Sequence, residues 1–102
     1  MRRLRFTVAA RKDFSDIARQ SQVRWGPDQR TKYVEAIHRR LNQLCERPEL
    51  GPAFGPDRPG LHRLNVGSHL IFYRFDDARL RVIRILDQRM DLAARLGETD
   101  EP

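Results

Sequence analysis

Apolar and polar residues alternate between Gly60 and Asp91 in a pattern that predicts three consecutive short β-strands. Gly67-Ser68 separates the first two strands, and residues 76–79 separate the second and third. A glycine-first loop of two residues favours a type II′ hairpin turn, because glycine reaches positive φ without steric cost. That turn would pair Val66 with His69, Leu64 with Ile71, and His62 with Tyr73.

The predicted hairpin has two different faces, because successive side chains of a strand point to opposite sides. The face expected to join the core carries His62, Leu64, Val66, His69, Ile71, Tyr73 and Phe75. The opposite face mixes apolar residues with arginine and carries Leu61, Arg63, Asn65, Leu70, Phe72 and Arg74. We expect this second face to be covered by something other than the protein's own helices.

Two helices are predicted ahead of these strands. A short strand over residues 4–8 leads to Thr7 as a helix N-cap, and apolar residues at helical spacing then continue to about Gln22. A second helix is expected from about Pro27 to Arg47, where Pro48 stops it. The order β-α-α-β-β-β predicts an α+β domain with a helical hairpin on one side of a small antiparallel sheet.

A single domain is expected over residues 1–96, including a short helical turn over 92–96, with residues 97–102 as an acidic flexible tail. No apolar run approaches the roughly 20 residues of a membrane span, so we expect a cytoplasmic protein with no membrane partner. Cys45 has no second cysteine to pair with, and the histidines lack the spacing of zinc ligands. No metal and no cofactor is therefore predicted.

The net charge of +6 comes mainly from arginine, which pairs well with carboxylates and phosphates. The charge favours an acidic partner, although arginine in place of lysine is also what a GC-rich genome would encode. Arg63, Arg74, Arg84 and Arg89 form a cationic patch if they converge.

The sequence gives only a weak indication of a catalytic site. His62, His69 or Asp87 could serve a metal-free ribonuclease, but a local hydrogen-bonding role is favoured for both histidines. Trp25 is expected to fill the core at the corner between the helices.

Several segments in order resemble the ParE branch of the RelE/ParE toxin superfamily, and the resemblance covers nearly the whole chain. They are residues 7–14 with Ile17, Trp25-Gly26 followed by Tyr33, Leu44 with Pro48, Leu50 and Gly51, residues 69–74 (HLIFYR), and residues 85–91 (ILDQRMD). The last segment resembles the ParE closing motif and is the most specific. The resemblance implies a two-helix hairpin on a small antiparallel sheet.

The resemblance also implies a function. The protein would be the toxin of a type II toxin–antitoxin system of the kind used in plasmid stabilization. It would inhibit DNA gyrase rather than act as an enzyme, and a ParD-like antitoxin with an acidic C-terminal segment would neutralise it. Direct nucleic-acid binding is not expected except through the complex.

Two departures bear on the alternatives. Asp87 stands where the ParE motif usually has histidine, and no tyrosine follows Tyr73, which argues against ribonuclease activity. A RelE-like ribosome-dependent mRNA endoribonuclease and a degenerate toxin acting only as antitoxin partner and co-repressor remain as alternatives.

The predicted antitoxin or target surface consists of Arg63, Leu70, Phe72, Arg74, Arg84, Asp87 and Arg89. An acidic amphipathic segment would lay its apolar side on Leu70 and Phe72 and pair with Arg63 and Arg74. Charge reversal at these two arginines should then weaken antitoxin binding by about tenfold or more.

Overall fold

A computed structural model describes residues 1–97 of the chain. The predicted α+β order is confirmed. The elements are β1 (Arg3–Phe6), α1 (Val8–Trp25), α2 (Pro27–Glu46), a 3₁₀ turn (Pro48–Leu50), β2 (His62–Val66), β3 (His69–Phe75), β4 (Arg79–Asp87) and α3 (Leu92–Gly97). Apart from Gly97, which ends α3, the predicted acidic tail lies outside the described residues.

The helix boundaries follow from local chemistry. Thr7 caps α1 as predicted, since its Oγ1 accepts a hydrogen bond of 3.0 Å from the backbone N–H of Ala10. The helix runs past the predicted end near Gln22 and stops at Gly26, whose φ of 91° lies in a region that side-chain-bearing residues avoid. Pro27 then opens α2 at its first turn, where a missing backbone N–H costs nothing.

The hairpin between β2 and β3 has the predicted register. Val66 pairs with His69, Leu64 with Ile71, and His62 with Tyr73. Gly67 has a φ of 56°, which supplies the positive angle that the turn requires.

All four strands form one sheet in the order β1-β4-β3-β2. The three strands at the C-terminal end pair antiparallel, as expected, whereas β1 pairs with β4 in parallel, so the sheet is mixed. The sequence had suggested a purely antiparallel sheet. After the helical hairpin and two strands, the chain returns as β4, which lies beside β1 and runs in the same direction.

Thr7, which caps α1, and Asp13 of α1 form hydrogen bonds with the edge of β4 beyond the end of β1. Thr7 Oγ1 donates to the carbonyl oxygen of Ile83 at 2.7 Å, and Asp13 Oδ2 accepts from the backbone N–H of Ile85 at 3.0 Å. Backbone groups that lack a strand partner are thereby satisfied by the helix.

The main core lies between the helices and the predicted core face of the sheet. Ile37, Leu41 and Leu44 of α2 pack against Ile71 and Tyr73 of β3. The Tyr73 hydroxyl donates to the carbonyl of Pro48 and accepts from the N–H of Gly51 at 3.0 Å, which ties the loop after α2 to the sheet. Burial raises the pKa of Tyr73, and the hydrogen bond from Gly51 offsets part of this effect.

A second core covers the other face of the sheet, and here one expectation is wrong. Leu70 and Phe72 are only 4% and 0% exposed, because the chain's own segments lie over them. Leu96 and Leu92 of α3 pack on this face together with Phe54 from the loop before β2. The second face is therefore covered from within the chain.

No helix within residues 1–97 is both long enough and apolar enough to cross a membrane.

Candidate functional site

Arg63 and Arg74 lie together at the loop end of the sheet. Arg63 pairs with Phe72 across the hairpin, and Arg74 is two residues further along the same face of β3. The guanidinium of Arg63 lies 5.4 Å from the ring centroid of Phe54, and Arg74 Nη1 donates to the carbonyl of Pro59 at 2.6 Å. Both arginines are half-buried against the loop.

The predicted apolar contacts of that surface are not available in this structure. Leu70 and Phe72 share the Arg63 and Arg74 face, but they lie beneath Phe54 and α3, with the Phe54 ring 5.1 Å from that of Phe72. A partner could reach them only after α3 and the loop moved away. The prediction that Leu70 and Phe72 form an exposed surface is therefore wrong.

Arg84 holds the fold together and does not join an exposed patch. Its Nε and Nη2 donate to the two carboxylate oxygens of Asp13 at 2.7 and 2.9 Å, and its Nη1 donates to the carbonyl of Arg95 at 2.9 Å. The side chains of Arg84 and Asp13 are 10% and 13% exposed. This bidentate ion pair links α1, β4 and α3.

Asp87 and Arg89 lie at the opposite end of the sheet from Arg74. Asp87 pairs with His69, and Arg74 is five residues along β3 from that level, or about 17 Å. The four predicted arginines therefore do not converge. Arg89 donates to Asp87 from Nε, Nη2 and its backbone N–H, at 3.0, 3.0 and 2.9 Å. These hydrogen bonds lower the pKa of Asp87 to about 2.

His69 at the start of β3 forms a hydrogen bond with Tyr33 of α2. Its Nδ1 lies 2.6 Å from the Tyr33 hydroxyl, which also donates to the carbonyl of Val66 at 3.1 Å. Burial lowers the pKa of His69, and the charge of Asp87 opposes this effect in part. The main partner of His69 is thus 36 positions away and not local as expected, while the neighbouring Ser68 Oγ lies 3.5 Å from Nδ1.

A polar cavity of about 180 Å³ opens beside this pair, where the corner between α1 and α2 meets the hairpin turn. We call it the corner cavity, and its lining includes Arg24, Trp25, Tyr33, His69, Asp87 and Arg89. Trp25 is 67% exposed, so its predicted place in the core is wrong. Gly26 turns the chain immediately after it and leaves the indole at the rim of the cavity.

A larger groove of about 750 Å³ is lined by both helices and by Phe6 at the end of β1. Its apolar lining comes from Phe6, Phe14, Ala18, Val23 and Val34, and its cationic residues are Arg11, Arg19 and Arg30. Sequence reasoning missed this groove. No apolar periodicity indicated it, because Val23 follows Ala18 by five positions and lies off the apolar face of α1.

Among residues 1–97, no three His, Cys, Asp or Glu side chains are grouped so that they could hold a metal ion.

Comparison with known proteins identifies the family. Residues 4–92 match the family model described as the ParE toxin of the type II toxin–antitoxin system parDE. The chain belongs to the ParE toxin family. Toxin ParE1 of Caulobacter vibrioides is 34% identical over 97 residues, which cover 95% of this chain and all of that protein. Toxin ParE1 of Mycobacterium tuberculosis is 36% identical over 74 residues, covering 72% and 76% of the two chains.

Two solved structures share the ParE-like fold. A chain of the chromosomal ParDE system from P. aeruginosa aligns with a TM-score of 0.71 at 22% identity, covering 85% of this chain and 96% of that one. A chain of the toxin–antitoxin complex RelBE2 from Mycobacterium tuberculosis aligns with a TM-score of 0.65 at 20% identity, covering 85% and 98%. At these identities the likeness concerns the fold alone.

Proposed function

We propose that this ParE-family toxin inhibits DNA gyrase as a binding protein, without catalysing a reaction, and that a ParD-like antitoxin neutralises it in the cytoplasm. The observation that carries the proposal is the family match over residues 4–92. The resemblance of residues 85–91 to the ParE closing motif supports gyrase as the target.

The side chains available for proton transfer favour inhibition over catalysis. Both carboxylate oxygens of Asp87 accept hydrogen bonds from Arg89. A carboxylate with a pKa of about 2 is a poor general base near neutral pH. Arg84, which could stabilise a phosphorane, is committed to Asp13.

The groove along the helices suits an antitoxin segment better than the buried Leu70–Phe72 face. It offers an apolar floor and three exposed arginines, which complement an amphipathic segment with acidic residues beside its apolar stripe. The two structural neighbours come from ParDE and RelBE toxin–antitoxin systems, which supports an antitoxin partner.

The target is tested by inducing the chain in cells without its antitoxin and following DNA and protein synthesis separately. We expect DNA synthesis to stop first, with linearised plasmid. An early stop in translation with cleaved messenger RNA would instead indicate a ribonuclease. Normal growth with retained antitoxin binding would indicate a degenerate toxin.

The mode of action is tested with purified gyrase and supercoiled plasmid. An inhibitor that acts by binding should give inhibition that follows the molar ratio of toxin to gyrase. Inhibition by traces of toxin, increasing with incubation time, would contradict the proposal.

The antitoxin surface is tested with two matched valines of α1. Val23 lies in the groove and is 84% exposed, whereas Val8 lies outside it and is 87% exposed. V23E should weaken antitoxin affinity by about tenfold, because a charge would meet the apolar side of the acidic segment, and V8E should leave it within about twofold. If charge reversal at Arg63 and Arg74 weakens binding while V23E does not, the antitoxin runs over the sheet instead.

A further inference from the structure

Trp25 is an exposed aromatic residue with few contacts of its own. Within residues 1–97, its ring contact is with the guanidinium of Arg24, which lies 5.8 Å from the ring centroid. With two thirds of the residue in solvent, the indole has surface left for a further flat partner. Exposed tryptophan beside cations is typical of binding surfaces, because the ring buries a large area at little entropic cost.

The cavity beside Trp25 carries unused hydrogen-bonding capacity for an anion. Arg89 binds Asp87 through Nε and Nη2, and in the described part of the chain no acceptor takes its Nη1. Arg24 adds a second exposed cation at the same rim. The two arginines outnumber the single carboxylate of Asp87, so the rim keeps a positive charge.

The size and polarity of the cavity restrict what it can hold. Its volume of about 180 Å³ is smaller than the roughly 300–1,000 Å³ of sites for drug-sized ligands, and leaves room for one planar ring. Gln20, Gln29 and Ser68 line it with donors and acceptors that can meet the polar edges of a heterocycle. A purely apolar side chain would leave these groups unpaired.

We propose that the corner cavity receives an unpaired base of a single-stranded nucleic acid, stacked on Trp25, with the adjoining phosphates held by Arg24 and Arg89. Stacking on an aromatic ring combined with cations along the backbone is the usual way in which proteins bind single strands without sequence preference. A base in a duplex is already stacked and is not free to enter. The proposal replaces the expectation from the sequence that the chain meets nucleic acid only through the complex. It does not depend on gyrase, and its test contains none.

The chain carries its own probe, because Trp25 is its sole tryptophan. We would titrate the full chain with an octanucleotide of single-stranded DNA, the same sequence as RNA, and the matching duplex, while recording tryptophan fluorescence. Saturable quenching by one or both single strands, with little change on adding duplex, is expected. The relative affinities of the DNA and RNA strands then identify the source of the base.

Variants locate the site, with binding followed by anisotropy of a labelled octanucleotide. W25A should weaken binding about tenfold, whereas W25F should stay within about threefold because phenylalanine also stacks. R89A should weaken binding. It should also reduce the slope of log affinity against log salt concentration by about 1, which corresponds to the loss of one phosphate contact. Arg47 is the matched control, since it is an exposed arginine at the other end of α2, about 30 Å away along the helix.

Two outcomes would overturn the inference. Fluorescence that does not respond to saturating single strands would show that no base stacks on Trp25. An equal loss of affinity in R89A and R47A, with W25A unchanged, would mean that strands are attracted only by the overall positive charge. Thermal unfolding of each variant shows whether it is folded under the conditions of the titration.

Discussion

The ion pair between Asp13 and Arg84 shows how one predicted binding residue serves the fold. Arg84 looked available in the sequence because arginines are mostly exposed. The structure instead buries it, with Asp13 and the carbonyl of Arg95 as partners of its guanidinium. No local sequence pattern predicts this ion pair, because Asp13 and Arg84 are 71 positions apart.

Asp13→Ala is therefore expected to destabilise the protein by about 3–5 kcal/mol, because it removes a buried carboxylate that accepts from Nε and Nη2 of Arg84 and from the backbone N–H of Ile85. Asp16→Ala is the matched control one turn further along α1, where the carboxylate pairs with exposed Lys12 and Arg19. It should change stability little. Urea unfolding of the two variants and the parent checks this, and similar midpoints for both variants would contradict it.

The pair of Asp87 and Arg89 predicts a contribution to acid stability. The folded-state pKa of Asp87, about 2, is lower than its ordinary value of 3.8. Its stabilising effect should be complete above pH 3.8 and disappear as the pH falls through about 2. Asp87→Asn should therefore show a shallower loss of stability than the parent between these pH values.

We would measure the urea unfolding midpoints of the parent and of Asp87→Asn across this pH range. The difference between the two curves gives the contribution of the pair to stability. Parallel curves for the two proteins would mean that the pair does not affect folding.

At the scale of elements, the sequence predicted what local chemistry determines. The turn at Gly67 fixed the register of β2 and β3, and Thr7 and Pro27 marked the starts of the helices. The parallel pairing of β1 with β4 lacked such a signal, because it joins residues about 76 positions apart. The ParE resemblance gave the family and the general fold but not this pairing.

The site was harder to predict than the fold for the same reason. Whether Leu70 and Phe72 are exposed depends on α3, a helix of six residues, and on Phe54 in a loop without regular spacing. The position of Trp25 depends on how far α1 continues before Gly26. Both are decided by packing between distant segments.

The contact between α1 and the edge of β4 can be tested at Thr7. Thr7→Ala removes both the cap on Ala10 and the partner of the Ile83 carbonyl, so it should cost about 1–2 kcal/mol. Thr7→Ser keeps the hydroxyl and should recover most of the stability. Thermal unfolding compares the two, and equal losses would indicate that the methyl group matters instead.

At the scale of the whole molecule, the net charge of +6 should govern how quickly partners associate. Opposite charge speeds encounter, and salt screens this effect over a distance of roughly 10 Å at 0.1 M. We expect the association rate constant with an acidic antitoxin to fall by about tenfold between about 50 and 500 mM salt, with a smaller change in the dissociation rate constant. Stopped-flow binding measures both, and a salt-independent association rate would contradict this expectation.

The position of β4 in the sheet also sets the order in which the toxin can form during translation. β4 lies between β1 and β3 in the sheet, yet it is synthesised after both of them. Until residues 79–87 have left the ribosome, β1 has no neighbour and the helical hairpin lacks much of the surface on which it packs. A chain terminated before residue 79 would therefore lack β4, and a cell would be exposed to a folded toxin only when translation had passed this strand.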